Sequence, residues 1–317
     1  MTAAITILDV VVEDIRVPTS DTLLGSDPFH RKPDYSAVII CVKTDADIEG
    51  NSIVFNIGAG NDWIAYGVND LASLLTGRTL QEFMNAPALL PQMMIEHHQM
   101  RWLADGVFRM SVGGLVNALW DLWAKVEGKP LWELLTDLPP ETIVSCVDWR
   151  YLRDALTPGE ALEILNKGRL GVGERKAQMR AQGPEAYSTS GWLGLSDQQI
   201  SEHITTLQKQ GFRHFKSKVG GNLDQDIERL GFLRSILGED ASLMTDANQI
   251  WGVNEAIEWM GQLKEFRPYW IEEPTARDDV LGFVKSATLW QNTGSVSPPA
   301  SKCPHPLFLN SYSSPVH

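Results

Sequence analysis

Five polar residues stand at spacings that let them act together: Lys216 and Lys218, Asp246 and Asn248, and Glu272. Each group ends a short apolar run that reads as a β-strand, and a strand sends every second side chain to one face. Lys216 and Lys218 therefore point the same way, as do Asp246 and Asn248, while Glu272 aligns with Trp270. Two ammonium groups side by side repel, which lowers the proton affinity of at least one of them. A neutral lysine is a usable base near neutral pH. Carboxylates such as Asp246 and Glu272 are hard oxygen donors suited to Mg²⁺, which takes few carboxylates and shares oxygens with its substrate. A dication on a substrate carboxylate stabilises an enediolate and makes the neighbouring C–H proton removable.

Plainer readings exist for each residue alone. A lysine pair can decorate a solvated strand, and an aspartate such as Asp246 can cap the helix that follows it. Glu273 faces opposite Glu272 and reads as a structural partner. His214 shares a face with Lys216 but lies deeper in its strand, which suits a satisfied core group. The adjacent pair His97-His98 lacks the spacing for a shared metal site. Trp120 and Trp123, among eleven tryptophans, stand at helical spacing and read as packing.

The elements that must position these residues come in two regimes. Near the start, Ile5, Ile7 and Val10-Val11-Val12 read as a strand, and Ala37–Val42 as a second one running into the turn at Asp45-Ala46-Asp47. Between them a polar loop runs from Pro18 to Pro33. Helical spacing follows over Trp63–Leu75, Gln92–Leu103 and Val112–Val126, the last ending at Gly128-Lys129-Pro130. From about Glu141 strands alternate with helices. The strands are Ile143–Trp149, Phe212–Val219, Ser242–Asn248 and Tyr269–Glu273; the helices include Asp197–Gln210, Leu223–Leu237 and Asn254–Phe266. Ser196 and Gln199 form a capping box before the first of these helices. Such alternation implies a parallel sheet, either doubly wound or a (β/α)8 barrel.

Bulk properties narrow the function. At 317 residues the chain holds one or two domains, and a net charge of −13 argues against a nucleic-acid partner. Three widely spaced cysteines, Cys41, Cys146 and Cys303, support neither a disulfide framework nor a zinc knuckle. The acidic, interrupted first residues do not resemble a secretory or transit signal, and no apolar run nears the roughly 20 residues that span a bilayer. A cytoplasmic protein without membrane contact is the expectation.

Phe215-Lys216-Ser217-Lys218-Val219-Gly220, Met244-Thr245-Asp246-Ala247-Asn248-Gln249 and Trp270-Ile271-Glu272-Glu273-Pro274 resemble, in order and separation, the Lys-x-Lys, Asp-Ala-Asn and Glu-Glu-Pro signatures of the mandelate-racemase-like branch of the enolase superfamily. Pro18-Thr19-Ser20, Pro33–Ala37, Asn117–Lys125 and Ser190-Gly191-Trp192-Leu193-Gly194 are similar to the L-fuconate dehydratase family within it. The resemblance implies an α/β protein: an α+β capping domain over residues 1–140, then an incomplete TIM-like (β/α) barrel over 141–283 with about four of eight strands. It implies Lys218 as proton donor and acceptor, Lys216 and Asn248 as substrate contacts, and Asp246 and Glu272 as Mg²⁺ ligands. In the capping domain it places Gly25, Ser26, Asp27 and Tyr35 against the substrate, although Asp27 and Tyr35 serve equally well as turn residues. The implied activity is dehydration of a sugar acid (an aldonate) to a 2-keto-3-deoxy acid; another acid-sugar dehydratase or racemase of the superfamily is the alternative.

The last stretch differs in composition. No Asp or Glu occurs after Asp279, and Ser and Pro dominate segments such as Ser295–Pro299 and Ser311–Pro315. Residues 284–317 are expected to be an irregular tail. The family's third carboxylate ligand would fall near Ser295–Ser301, where there is no acid, and its Asp–His dyad would lie further on. His305, flanked by prolines, is not assigned that role. A truncated, non-catalytic isoform, the product of a mis-assembled coding sequence, or a sugar-acid binder without turnover therefore remain alternatives to the enzyme. A half barrel leaves strand edges unpaired, which favours self-association into a homo-oligomer.

Overall fold

The computed structural model describes residues 4–96 and 106–292. Its first sheet is antiparallel in the order β1 (Ile7–Val17), β2 (Tyr35–Thr44) and β3 (Gly50–Asn56). The register sets Val12 opposite Ile40 and Val38 opposite Val54. Ile7, Val10, Val38, Ile40 and Val42 are buried on the face covered by helices α1 (Asn61–Ala72) and α4 (Val107–Val126). Helix α4 presents Val112, Leu115, Leu119 and Leu122 to this core, a stripe at the 3.6-residue period. Burying each such side chain contributes roughly 1.5–3 kcal/mol. Trp120 and Trp123 stack at 5.1 Å, and Phe83 of α2 (Leu80–Asn85) meets Trp120 edge-on. Helices α3 (Leu89–Glu96), α5 (Leu131–Asp137), α6 (Pro140–Ser145), α7 (Pro158–Gly168) and α8 (Val172–Gln182) complete this unit.

The segment 143–149, expected as the first barrel strand, is helical instead. Pro140 stands in the first turn of α6 with Glu141 beside it, and a 3₁₀ turn follows at Trp149–Tyr151. Proline is pre-set for a helix start and acidic residues favour that end, so the short Ile143-Val144 pair is outvoted. The first parallel strand is β4 (Tyr187–Gly191), followed by β5 (His214–Lys218), β6 (Ser242–Asp246) and β7 (Ile271–Glu272). The four strands lie side by side in chain order, all parallel, with no reversal of the kind a doubly wound sheet requires. Between and after them run α9 (Asp197–Lys209), α10 (Leu223–Leu237), α11 (Val253–Leu263) and α12 (Val280–Asn292). Phe215, Val219 and Leu243 share an apolar core with Ile200, Ile204, Leu230, Leu233, Met260 and Leu263 from the helices. The capping box at Ser196 and Gln199 is present, and Asn222 caps α10 by accepting from the Gln225 N–H at 3.1 Å.

The two compact units divide the chain differently from the expected boundary near residue 140. One comprises residues up to Val17 and Asp34–Pro184; the other comprises Pro18–Pro33 and residues from Glu185 onward. The loop 18–33 joins the parallel-sheet unit because its backbone and side chains bond there: Leu193 N–H donates to the Ser26 carbonyl at 3.3 Å. Residues 284–292, expected to be part of an irregular tail, are helical instead, since α12 runs to Asn292. Helix-breaking prolines start only at Pro298, which leaves Val280–Asn292 free to be helical. Residues 293–317 lie outside the described residues, as do His97-His98 and the second half of the helix expected over Gln92–Leu103.

Candidate active site

The site grows from the carboxyl ends of β5, β6 and β7. In-register pairing sets Lys216 beside Met244 and Lys218 beside Asp246, and Asp246 beside Glu272. Alternation then sends Lys216, Lys218, Asp246 and Glu272 to one face, while Phe215, Ser217 and Leu243 go to the helix-covered side. The turn leaving β5 is close-packed at Gly220, whose φ is 101° and whose added Cβ would stand 2.5 Å from Ile250. Only glycine allows the two strand-end loops to approach this closely.

Four of these side chains form one ionic cluster. Lys218 Nζ donates to Asp246 Oδ2 and to Asn248 Oδ1, both at 2.7 Å. Lys216 Nζ lies 2.8 Å from Glu272 Oε2 and 3.1 Å from Asp246 Oδ2. Asp246, Lys216 and Lys218 are buried, whereas the Glu272 side chain is 37% exposed. The lysine pair thus does not behave as two repelling cations, as the sequence led us to expect. Burial pulls the Lys216 ammonium down, but the hydrogen bond it donates to Glu272 and the charges of Asp246 and Glu272 outweigh this and hold it above the usual lysine range. Asp246 does not cap the following helix, whose N-cap is Gly252; its Oδ2 faces the lysines while Oδ1 accepts from the Asn248 N–H at 3.0 Å in the turn after β6.

Two aromatic residues complete the surroundings and were not anticipated. The Lys216 ammonium sits 5.0 Å from the Tyr187 ring and 3.3 Å from its hydroxyl oxygen, and Lys218 Nζ is 5.2 Å from the Trp192 ring. Trp270 packs edge-on against Tyr187 at 5.8 Å. The signal that could have found them was the run Tyr187-Ser188-Thr189 just ahead of Ser190-Gly191-Trp192, a strand one helix upstream of the lysine strand.

The loop residues make bonds of their own. Ser26 Oγ accepts from the Gly194 N–H at 2.8 Å, and Asp27 accepts from the N–H groups of Phe29 and His30 at 2.8 and 2.6 Å. The other Asp27 oxygen lies 3.2 Å from His30 Nδ1. Gly25 supplies a φ of 84° for this turn. Ser26 and Asp27 are buried, so these groups hold the loop onto the segment after β4. Tyr35 opens β2 in the other unit, edge-on to Phe55 at 5.0 Å. His214 is not a core group: its Nε2 lies 3.4 Å from the exposed Glu185 carboxylate.

Among the described residues no three His, Cys, Asp or Glu side chains converge tightly enough to hold a metal unaided. Two carboxylates do converge on one cation, the Lys216 ammonium. That donor set fits Mg²⁺, which is commonly bound through one or two carboxylates with water and substrate oxygens making up the rest.

Comparison with known proteins identifies the fold. Residues 27–136 match the mandelate racemase / muconate lactonizing enzyme N-terminal domain, and residues 199–294 the enolase C-terminal domain-like family. The crystal structure of human mitochondrial enolase superfamily member 1 superposes with a TM-score of 0.89 at 41% identity, covering 93% of this chain and 68% of that one. The chain belongs to the enolase superfamily, with a capping domain of the mandelate racemase type and a barrel-like α/β domain. In sequence it is 44% identical over 276 residues to the Homo sapiens protein (86% of this chain, 62% of that one). It is 40% identical over 275 residues to L-galactonate dehydratase of Hypocrea jecorina, covering 85% and 61% of the two chains. The chain therefore spans about three-fifths of the length of these curated relatives. The fold is shared with L-talarate/galactarate dehydratase from Salmonella typhimurium LT2, solved with Mg and L-lyxarohydroxamate, at 23% identity and a TM-score of 0.65 over 90% of this chain and 63% of that one.

Proposed function

We propose that this protein acts on sugar acids as a Mg²⁺-dependent dehydratase, its substrate a six-carbon aldonate such as L-fuconate or L-galactonate. The observation that carries the reading is the Lys216–Glu272–Asp246–Lys218 cluster at adjoining strand ends. The similarity to a fungal L-galactonate dehydratase supports the substrate class.

In this reading Asp246 and Glu272 hold the cation. When bound, it supplies positive charge that offsets the negative charge developing on the substrate carboxylate as the α-proton leaves. Lys218, as the neutral amine left once its ammonium has released a proton, accepts the α-proton at Nζ: the C–H bond breaks, an N–H bond forms, and the C–H electrons pass into the carboxylate system. Loss of the β-hydroxyl as water then gives the enol of a 2-keto-3-deoxy acid. Asn248 orients Lys218 through its 2.7 Å contact. Lys216, kept protonated, offers its charge to a substrate oxygen. The acid that meets the departing hydroxyl is not assigned to a described residue. Gly25, Ser26, Asp27 and Tyr35 are proposed to shape the sugar-binding side, the first three through their loop rather than by free polar atoms. Free Cys41 and Cys146 fit a reducing, cytoplasm-like compartment, and no helix among the described residues is long and apolar enough to cross a membrane.

The test is exchange of the α-proton of L-fuconate and L-galactonate in D₂O, followed by NMR with Mg²⁺ present, alongside assay for keto-acid product. Exchange that falls by about 10²–10⁴-fold in Lys218→Met is expected for loss of a general base. No exchange and no product from any aldonate would overturn the proposal. A second reading, a sugar-acid binder without turnover, is favoured by the full pairing of both lysines with carboxylates; calorimetric binding without exchange would select it.

A further inference from the structure

We infer that Gln249 is a positioning residue, a clamp that ties the loop after β6 to the loop after β7 and thereby keeps Asn248 and Glu272 in place. Its consequence for metal binding rests on the reading of Asp246 and Glu272 as ligands; the clamp itself does not.

Strand β7 is only two residues long, and the chain turns away at Glu273-Pro274. Proline has no N–H to donate, so the sheet ladder cannot continue there. Beside the Ala247 N–H, which donates to the Glu272 carbonyl at 3.0 Å, Gln249 bonds the turn through both its backbone and its side chain. Gln249 N–H donates to the Glu273 carbonyl at 2.7 Å, and Gln249 Nε2 donates to Glu273 Oε1 at 3.1 Å. Gln249 Oε1 accepts from the Arg277 N–H at 3.0 Å. The amide thus uses its donor and its acceptor on opposite ends of the same turn, a task that no carboxylate or aliphatic side chain of that length can perform.

Backbone conformation supports the same assignment. Asn248, Gln249 and Glu273 all have positive φ, at 48°, 66° and 45°. Non-glycine residues persist in this left-handed region only where their surroundings over-determine them, and such residues cluster at functional sites. All three flank the ionic cluster. Asn248 bonds Lys218 and the Asp246 turn, so a shift of Gln249 is transmitted through one peptide to the lysine's orienting partner. On the other side, Glu273 directly follows Glu272.

The experiment uses the full chain in two arms. Amide hydrogen exchange compares the parent with Gln249→Met, which keeps the bulk and loses both hydrogen bonds, and with Gln249→Glu, which retains only the acceptor for Arg277. Exchange at Arg277 is expected to accelerate at least tenfold in Gln249→Met, less in Gln249→Glu, with the amides of α10 unchanged. Equal Arg277 exchange in parent and Gln249→Met, or equal acceleration in both variants, overturns the clamp. In the second arm Mn²⁺ binding is titrated by electron paramagnetic resonance, and Gln249→Met is expected to weaken it about 10–100-fold, as loss of a ligand's outer support does. Undiminished affinity overturns the link to the metal ligands. A parent chain that binds no Mn²⁺ counts against the metal reading of the site, while the exchange arm still decides on Gln249.

Discussion

Asp246 is where the stability and the proposed chemistry of this protein meet. Its carboxylate faces two buried ammonium groups, so removing it leaves both without their shared counter-charge. Asp246→Ala is expected to cost about 3–5 kcal/mol, the usual penalty for stranding a buried charge, read as a lowered urea midpoint followed by tryptophan fluorescence. A loss under 1 kcal/mol would mean that water reaches the lysines freely. Thr275 makes the opposite case. Its hydroxyl is buried without a hydrogen-bond partner among the described residues, so Thr275→Val is expected to be neutral or to stabilise by about 1 kcal/mol. Clear destabilisation in the same assay would show that the hydroxyl has a bonding partner in solution. At this scale the sequence showed which residues converge, because strand alternation alone aligns Lys216 with Lys218. It misjudged their electrostatics, since the charges that hold Lys216 protonated come from strands 30 and 56 residues further along the chain.

Among the elements, the β5–α10 unit carries a titrating anchor. Asp226 is buried at the start of α10 and accepts from the Gly220 N–H at 2.6 Å and from Trp259 at 3.3 Å. Burial outweighs these bonds and lifts its pKa from 3.8 to about 6. A carboxyl raised in the folded state favours folding while protonated: its contribution is fully present below pH 3.8 and is lost as pH rises through about 6. Asp226→Asn should therefore abolish this loss, gaining about 3 kcal/mol relative to the parent between pH 4 and pH 7. Parallel pH–stability curves would refute it. In the other unit, β3 meets α4 at Gly50, where an added Cβ would lie 2.8 Å from Leu122 Cβ and run into the Ala118 carbonyl. Gly50→Ala should destabilise by about 1–3 kcal/mol, measured by thermal unfolding, because a helix backbone cannot step aside as a flexible side chain can. Elements with strong local signals were legible: the capping box predicted the start of α9, and the periodicity predicted α10. The helix at Pro140–Ser145 was not, because two β-branched residues mimic a strand once the prolines before them are discounted.

For the molecule as a whole, net charge sets the company it keeps. At −13 it should pass unretained through a polyanionic heparin column at about 0.15 M salt, where screening still leaves like charges repelling at contact; retention would reveal a basic patch that the total conceals. Family membership, the three strands β5, β6 and β7 and the identity of the ionic residues were determined by the sequence, because each follows from local patterns of two to six residues repeated at βα spacing. Only the tertiary structure decided that the loop 18–33 packs with the parallel-sheet unit, that Tyr187 and Trp192 stand beside the lysines, and that Gln249 bridges two turns. Those are contacts between residues far apart in the chain. Their formation depends on which strand ends become neighbours, and no local periodicity encodes that.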